Sequence, residues 1–243
     1  MSVDANFLTV AVHRQTRVNC REGLANVFHD IGIIFCTIAE APEFASAVLD
    51  ALRQPLESGV ISIHRANAVA RFPARFQLVM AANPCPCGQY GAADLDCSCP
   101  PSARRRYLAR LSGPLLDRID IQLRVQRVTA AQLRLAADGP RLTSATARAH
   151  VEQARAAAAE RLADTPWSLN SEVPGPWLRG AHARLPGEAT AILDRALERG
   201  GITMRGYDRV LRVAWSIADL GGVARPGAEQ VGQALYLRKG MTS

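Results

Sequence analysis

Residues 76–88 read FQLVMAANPCPCG, and this stretch decides most of the fold. The apolar run around Leu78, Val79 and Met80 predicts a central strand over 75–82 that is buried on both faces. The run ends at Asn83, and a proline follows it directly. Because side chains at the carboxyl ends of parallel strands line the ligand crevice, Asn83 is a candidate to orient a water or a phosphate oxygen. A simple turn asparagine is the alternative interpretation.

Four of the six cysteines come directly after this strand, in two Cys-x-Cys pairs: Cys85, Cys87, Cys97 and Cys99. Two closely spaced pairs can present four thiolates to one tetrahedral metal, and the surrounding prolines and glycines allow both ends to bend inward. The pattern therefore predicts a structural metal site, with Zn²⁺ as its default occupant. Buried free thiols or a redox pair remain the alternative.

The basic residues exclude one kind of nucleotide site. The chain has 243 residues and a formal charge of +7, and of its 29 basic residues only Lys239, close to the C-terminus, is a lysine. A phosphate-binding loop needs a lysine directly after a glycine-rich turn, so this chain is predicted to lack one and to be unable to hydrolyse ATP alone. The arginine excess is compatible with binding to nucleotide or nucleic acid, or with genomic base composition.

No segment predicts membrane insertion or export. The longest apolar run, Ile31–Ala39, is far shorter than the roughly 20 residues of a membrane span, and the N-terminus lacks a basic region before an apolar core. We therefore expect a cytoplasmic protein without a membrane partner, which also argues against disulfides.

Working outward from the central strand, the first part of the chain has an α/β pattern. Gly59 follows a predicted helix, and the polar segment with His64 and Arg65 separates two apolar runs that predict a hairpin with a basic tip. The predicted elements are a strand at Ile33–Cys36, a helix at Ala45–Glu57, hairpin strands at Val60–Ile63 and Ala68–Phe72, a helix at Ser102–Leu111 and a half-buried strand at Ile119–Val125.

The second part is rich in alanine and predicts helices only. Thr143 or Ser144 can cap a helix that ends near Ala163. A segment rich in proline and glycine, Thr165–Gly187, is interpreted as a linker, and three helices follow at Gly187–Arg199, Thr203–Leu220 and Gly227–Arg238. The fold class is therefore α/β plus all-α. The predicted division is residues 1–31, unassigned and poorly ordered, 32–130, an α/β core, and 131–243, a helical bundle.

Arginines mark two further candidate sites. Arg118 lies at a junction between a helix and a strand, and its planar guanidinium suits a phosphate across an interface, although pairing with neighbouring aspartates is equally open. Arg205, Arg209 and Arg212 form one stripe on the helix after Thr203. From spacing alone, a solvated basic face is the simpler interpretation of this stripe.

Taken together, these residues resemble the magnesium-chelatase-like AAA+ ATPases of the ComM/YifB group. The resemblance extends from about Gly32 to Arg238. It includes the segments APEF at 41–44, ALRQPLE at 51–57, FPARFQLV at 72–79, ANPCPCG at 82–88, RYL at 106–108, LSGPLLDRID at 111–120 and RVLRVA at 209–214.

The resemblance implies a partial AAA+ P-loop NTPase core with an incomplete parallel sheet and a hairpin insertion, followed by a helical lid. It implies that Asn83 is sensor 1, Arg118 the arginine finger for a neighbouring subunit, and Arg205 the sensor 2 arginine. The hairpin with His64 and Arg65 would project toward DNA, and the four cysteines match the group's own cluster. ATP, Mg²⁺ and a hexameric ring are implied in the same way.

The sequence departs from this family at two positions of the nucleotide site. No phosphate-binding loop precedes the matched region, and residues 1–31 do not resemble the family. Where the family has Asp-Glu, this chain has Ala39-Glu40. Glu40 can stand for the catalytic glutamate, whereas Ala39 replaces the aspartate that orients magnesium. Gene truncation, a frameshift and divergence each produce this pattern.

Three functions follow from these observations. The first is a degenerate or truncated AAA+ subunit that donates Arg118 and Arg205 to a site whose phosphate-binding loop is on another chain, within a motor for DNA translocation or branch migration in recombination or transformation. The second is a zinc-stabilised nucleic-acid-binding module. The third is an inactive remnant of a disrupted gene.

Overall fold

The computed structural model describes residues 34–65, 68–91, 97–125, 128–138 and 142–239. The expectation that residues 1–31 are poorly ordered lies outside this range, as does the hairpin tip at 66–67. The described residues form two compact units, one up to Ile119 together with 123–125 and one that comprises Asp120–Gln122 and the residues from Val128 onward. Among the described helices, none is both long and apolar enough to cross a membrane.

The first unit contains a short parallel sheet, a hairpin and several short helices. In chain order its elements are β1 (Ile34–Ile38), a 3₁₀ turn (Ala41–Glu43), α1 (Ser46–Asp50), α2 (Arg53–Ser58), β2 (Val60–Arg65), β3 (Ala68–Pro73), β4 (Phe76–Met80), α3 (Pro101–Leu108) and α4 (Gly113–Leu116). This mixed α/β arrangement is consistent with part of an AAA+-like domain.

The predicted central strand is β4, and it pairs in parallel with β1, with Ile34 opposite Phe76 and Ile38 opposite Met80. In the described part of the chain β4 has no second partner strand. Its residues are partly exposed rather than buried on both faces, so that part of the prediction is wrong. Leu78, Val79 and Met80 are partly buried and pack against a small core that contains Ile38, Leu49 and Leu115.

The helix predicted over Ala45–Glu57 is two helices, α1 and α2. Pro55 explains the break, since it has no N–H to donate to the carbonyl of Ala51 and its ring crowds that carbonyl. Gly59 ends α2 with φ of 66°, a left-handed conformation that glycine adopts without strain.

The predicted hairpin is confirmed as the antiparallel pair of β2 and β3. Ile61 faces Phe72 across the two strands, and His64 faces Val69. Directly opposite residues share one face of a sheet, and a shift of one position changes the face. The hairpin therefore has a mainly apolar face with Ile61 and Phe72 and a second face with His64 and Arg71.

The second unit is a bundle of helices: α5 (Ala130–Asp138), α6 (Ser144–Arg161), a 3₁₀ turn (Asn170–Glu172), α7 (Gly175–Leu178), α8 (Gly187–Glu198), α9 (Met204–Leu220) and α10 (Ala228–Lys239). The predicted cap of α6 is confirmed, because the Thr143 hydroxyl accepts a hydrogen bond from the Thr146 N–H at 3.1 Å. Thr203 caps α9 in the same way, through the Gly206 N–H at 3.0 Å.

The predicted linker over 165–187 is part of the core of this second unit. Val173 and Leu178 are 1% and 3% exposed and pack with residues of α8, α9 and α10. The prolines and glycines prevent one long helix, but the apolar residues between them still bury their side chains. The prediction of a linker was therefore wrong.

A buried charge network ties α6 to α9. Asp219 accepts hydrogen bonds from Arg161, one of them at 2.9 Å, and from the Asn170 amide at 2.7 Å. The Arg161 guanidinium also lies 4.3 Å from the centre of the Trp215 ring. A carboxylate this deeply buried requires such partners.

The strand predicted at Ile119–Val125 is absent; the described residues there have no regular secondary structure. The Gln122 N–H instead donates to the Leu237 carbonyl at 2.7 Å. An alternating pattern is not sufficient for a strand, since a strand also requires a neighbour that completes its hydrogen bonds.

Candidate functional site

Glu40 and Asn83 lie just beyond the carboxyl ends of β1 and β4, which are neighbours in the parallel sheet. Backbone hydrogen bonds between the two segments continue past the strands. The Ala81 N–H donates to the Ile38 carbonyl at 3.0 Å, and the Ala41 N–H donates to the Ala81 carbonyl at 2.8 Å. Two polar side chains that sequence reasoning selected separately are thus brought to one edge. This is the edge at which open parallel sheets bind ligands.

Glu40 adopts a left-handed backbone conformation, with φ of 51° and ψ of 43°. Among the described residues no other non-glycine residue has a positive φ. This conformation is costly for a residue with a side chain and is concentrated at functional sites. Glu40 therefore enters the turn at Ala41–Glu43 in a backbone conformation that is uncommon for a residue with a side chain.

Tyr107 is a site residue that sequence reasoning missed. It is 5% exposed on α3. Burial raises the pKa of Tyr107 to about 12, and the nearby Glu43 and Glu40 carboxylates add to this, against a hydrogen bond with the Asn83 backbone. Its phenol therefore stays protonated and lies near both candidate groups, Glu40 and Asn83. The signal in the sequence was the segment RYL at 106–108, which the family resemblance includes.

Arg110, just after α3, holds the turn that follows Glu40. One of its terminal nitrogens donates to the Pro42 carbonyl at 2.7 Å and lies 4.0 Å from the Glu43 carboxylate. A charge-assisted hydrogen bond of this length is among the stronger side-chain contacts. Arg110 and Tyr107 together attach the end of α3 to the candidate site, and sequence reasoning assigned no role to either.

The four cysteines predicted to bind a metal converge on one point, with all four Sγ atoms within 4.8 Å of one another. Cys85 and Cys87 are separated by 3.3 Å between sulfurs, and Cys97 lies 3.6 Å from each of them. Four thiolates at about 2.3 Å from a tetrahedral zinc are about 3.8 Å apart. The cluster therefore fits a metal ion of this size after small adjustments.

Cys85 is the buried member of the cluster, and Cys87 is exposed. Burial favours the neutral thiol of Cys85, but the Cys87 thiol, the Tyr90 backbone N–H and the Cys97 thiol together lower its pKa to about 7. The Tyr90 N–H lies 3.4 Å from the Cys85 sulfur. Gly88, with φ of 76°, allows the turn that directs this N–H inward.

The Arg118 side chain is 10% exposed and bonded within its own unit. One terminal nitrogen donates to the Pro114 carbonyl at 2.8 Å, and the other pairs with the Glu57 carboxylate. Sequence reasoning expected pairing with neighbouring aspartates or a phosphate and missed Glu57, which is distant in the chain.

His64 and Arg65 both lie at the exposed end of β2. The residue opposite Arg65 is Ala68, which is also exposed. Both strands are therefore open to solvent at this end of the hairpin. The structure brings neither residue into contact with Glu40 or Asn83.

Arg205 lies in the second unit, exposed in the first turn of α9. The idea of a solvated arginine stripe on α9 is wrong for its other two members. Arg209 is bonded to Asp120 at 2.5 Å, and Arg212 donates to the Val173 carbonyl at 2.8 Å. Burial lowers the pKa of Arg212, with a further contribution from Arg209.

Comparison with known families matches two consecutive models to this chain. Residues 19–133 match "Magnesium chelatase, subunit ChlI", and residues 141–238 match "Magnesium chelatase, subunit ChlI C-terminal". The first match begins at residue 19, so the expectation that residues 1–31 are wholly unlike the family is wrong for 19–31.

Three individual proteins are also similar to most of this chain. An uncharacterized protein of Mycobacterium tuberculosis is 46% identical over 208 residues, which are 86% of this chain and 40% of the relative. Competence protein ComM of Haemophilus influenzae is 41% identical over 207 residues, 85% of this chain and 39% of the relative. YifB of Escherichia coli, an uncharacterized protein, is 39% identical over 189 residues, 78% of this chain and 35% of the relative.

The chain thus spans about two fifths of the length of the M. tuberculosis relative and of ComM. The matched segments include the parallel strands, the cysteine cluster and the helical bundle. The chain belongs to the magnesium-chelatase-like family, in the group that contains ComM and YifB.

Proposed function

We propose that this chain is a subunit of a ComM-like, ATP-driven DNA translocase that assembles as a ring and acts in recombination or DNA uptake. It contributes Glu40 and Asn83 at one sheet edge, and Arg118 and Arg205 as cationic groups for phosphate. Because the 243 residues contain a single lysine, near the C-terminal end, the phosphate-binding loop of the working site lies outside this sequence. The ATP and Mg²⁺ of that site are held jointly by the ring.

The observation that carries this proposal is the pairing of a strained glutamate and an asparagine beyond two adjacent parallel strands. Glu40 has φ of 51°, and Tyr107 lies close to Glu40 and Asn83. A carboxylate can polarise an attacking water while an amide orients it, which is the arrangement that phosphoryl transfer requires. Left-handed non-glycine residues are concentrated at functional sites, which supports a role for Glu40.

The test measures the ATPase rate of an intact ComM-type relative before and after addition of this chain, with DNA present. We expect the rate to change on addition and the change to disappear with Arg118→Ala, since a trans-acting arginine contributes about 10³-fold or more in such enzymes. The matched control is Arg105→Ala on the exposed surface of α3. An unchanged rate with the unsubstituted chain contradicts the proposal.

We further propose that Cys85, Cys87, Cys97 and Cys99 hold a structural Zn²⁺. The thiolates supply the soft, four-coordinate ligand set that zinc prefers, and none of the four positions is left for a catalytic water. The metal would close the loop between Asn83 and α3, which carries Tyr107. Its role is therefore to hold the shape of the candidate site rather than to take part in the reaction.

A second candidate function is nucleic-acid binding without nucleotide chemistry, favoured by the exposed hairpin with His64, Arg65 and Arg71 on a chain of charge +7. Binding of this kind is driven by release of counterions, so the affinity must fall steeply with salt. Fluorescence anisotropy with single- and double-stranded DNA at several salt concentrations measures this dependence. Affinity that is undetectable, or that does not respond to salt, contradicts this function.

A further inference from the structure

The Arg118 guanidinium is docked within its own unit. Its side chain is 10% exposed, and its two terminal nitrogens bind the Pro114 carbonyl at 2.8 Å and the Glu57 carboxylate. Glu57 lies on α2 and is 44% exposed. The cation is therefore buried while its anionic partner remains in contact with solvent.

The same guanidinium borders a polar groove with unused hydrogen-bonding capacity. In the described part of the chain, the Nε atoms of Arg53 and Arg118 are buried without a hydrogen-bond partner. The groove measures about 440 Å³ and is lined by Asp50, Arg53, Gln54, Glu57, Ser58 and Arg118. A buried N–H donor without an acceptor is costly, and Arg53 and Arg118 both line this groove.

We propose that Glu57 is an intramolecular latch that occupies Arg118 until a nucleotide phosphate oxygen replaces the carboxylate. Carboxylate and phosphate oxygens bind the same planar guanidinium donors, so the two anions compete for one site. This latch rests on the proposed function, which assigns Arg118 to the phosphate of a nucleotide held by a neighbouring subunit. Glu57 acts through Arg118 and is a positioning residue.

The difference in exposure between the two partners makes the latch reversible. Glu57 can turn further into water, because its side chain is already 44% exposed. Arg118 cannot remain buried without a counter-charge, because an unpaired buried charge is strongly unfavourable. Loss of Glu57 must therefore release Arg118 toward solvent or toward another anion.

The test follows the reaction of Arg118 with phenylglyoxal, an arginine-specific reagent, by peptide mass spectrometry. We expect Glu57→Gln to accelerate the modification of Arg118 by about fivefold or more, as for loss of an interaction of about 1 kcal/mol. Arg209, which is similarly buried in the other unit, serves as the internal reference and should not change. Glu198→Gln on the exposed surface of α8 is the charge-matched control.

An unchanged rate at Arg118 in Glu57→Gln overturns the latch. If that variant loosens the whole first unit, seen as faster modification of Arg53 as well, Glu57→Asp replaces it. This shorter carboxylate keeps the charge. If Arg118 is then modified at the same rate as in the unsubstituted chain, the proposal is overturned. An increase in rate confined to Arg118 supports it.

The ATPase assay with an intact relative separates the latch from the proposed function. Glu57→Gln should enhance the effect of the added chain, because Arg118 no longer has to leave a carboxylate. If the unsubstituted chain has no effect on the relative, the proposed function fails, while the modification rates still decide the latch. Suppose that Glu57→Gln has a smaller effect on the ATPase rate of the relative than the unsubstituted chain has, although its Arg118 is modified faster. That result overturns the claim that Arg118 must leave Glu57 to act.

Discussion

Replacement of Cys85 by serine tests the metal site most directly. Cys85 is fully buried, and its sulfur lies 3.3 Å from that of Cys87 and 3.6 Å from that of Cys97. Structural zinc sites of four ligands have apparent binding free energies of about 10–16 kcal/mol at neutral pH. An equal share for each ligand is about 2.5–4 kcal/mol, so loss of one thiolate should weaken binding by about 60- to 700-fold.

The assay is a Co²⁺ titration followed by displacement with Zn²⁺ in competition with a chromophoric chelator. The unsubstituted chain should bind one metal ion with the visible absorption of tetrahedral thiolate-bound cobalt, and Cys85→Ser should weaken this absorption and lower the affinity by the factor given above. Cys36→Ser is the matched control, because Cys36 lies in β1 outside the cluster. Equal affinity in Cys85→Ser and the unsubstituted chain refutes the assignment of Cys85 as a ligand.

Three further perturbations test the second unit and the candidate site. Asp219→Asn should destabilise the second unit by about 3 kcal/mol in urea unfolding, because it leaves the partly buried Arg161 without its counter-charge; a loss below about 0.5 kcal/mol contradicts this. Leu193→Ala should cost about 2–5 kcal/mol in the same assay, whereas the neighbouring Ile192→Ala, on the exposed side of α8, should cost much less. Tyr107→Phe should retain the folded state but reduce the effect of the added chain on the ATPase rate of an intact relative, and an unchanged effect would remove Tyr107 from the site.

Local patterns predicted many of the elements. The cap at Thr143, the four helices α6, α8, α9 and α10, and the hairpin strands follow from capping chemistry and from periodicity, which act over a few residues. The cysteine cluster was also predictable, because two short pairs separated by nine residues can meet without help from the rest of the fold. The failures share one cause: the pattern at 119–125 and the proline-rich segment at 165–187 depend on which neighbours the chain meets.

Only part of the candidate site could be predicted from the sequence. Glu40 and Asn83 could be selected from the ends of two apolar runs, and the family resemblance added Arg118 and Arg205. Tyr107 and Glu57 could not be found, because each acquires its role from a residue far away in the chain. The pKa of Tyr107, about 12, arises mainly from burial, which the tyrosine's own sequence neighbours do not specify.

The sequence by itself determined which residues can form helices, which can cap them, which can bind a metal, and that Lys239 is the chain's single lysine. These properties depend on side-chain chemistry and on spacing over one or two turns. The tertiary structure decided the pairing of β1 with β4, the strained turn at Glu40 and the docking of Arg118 on Glu57. Each of these joins segments separated by many residues, and the free energy that selects them comes from burial and from polar partners that meet only in the folded chain.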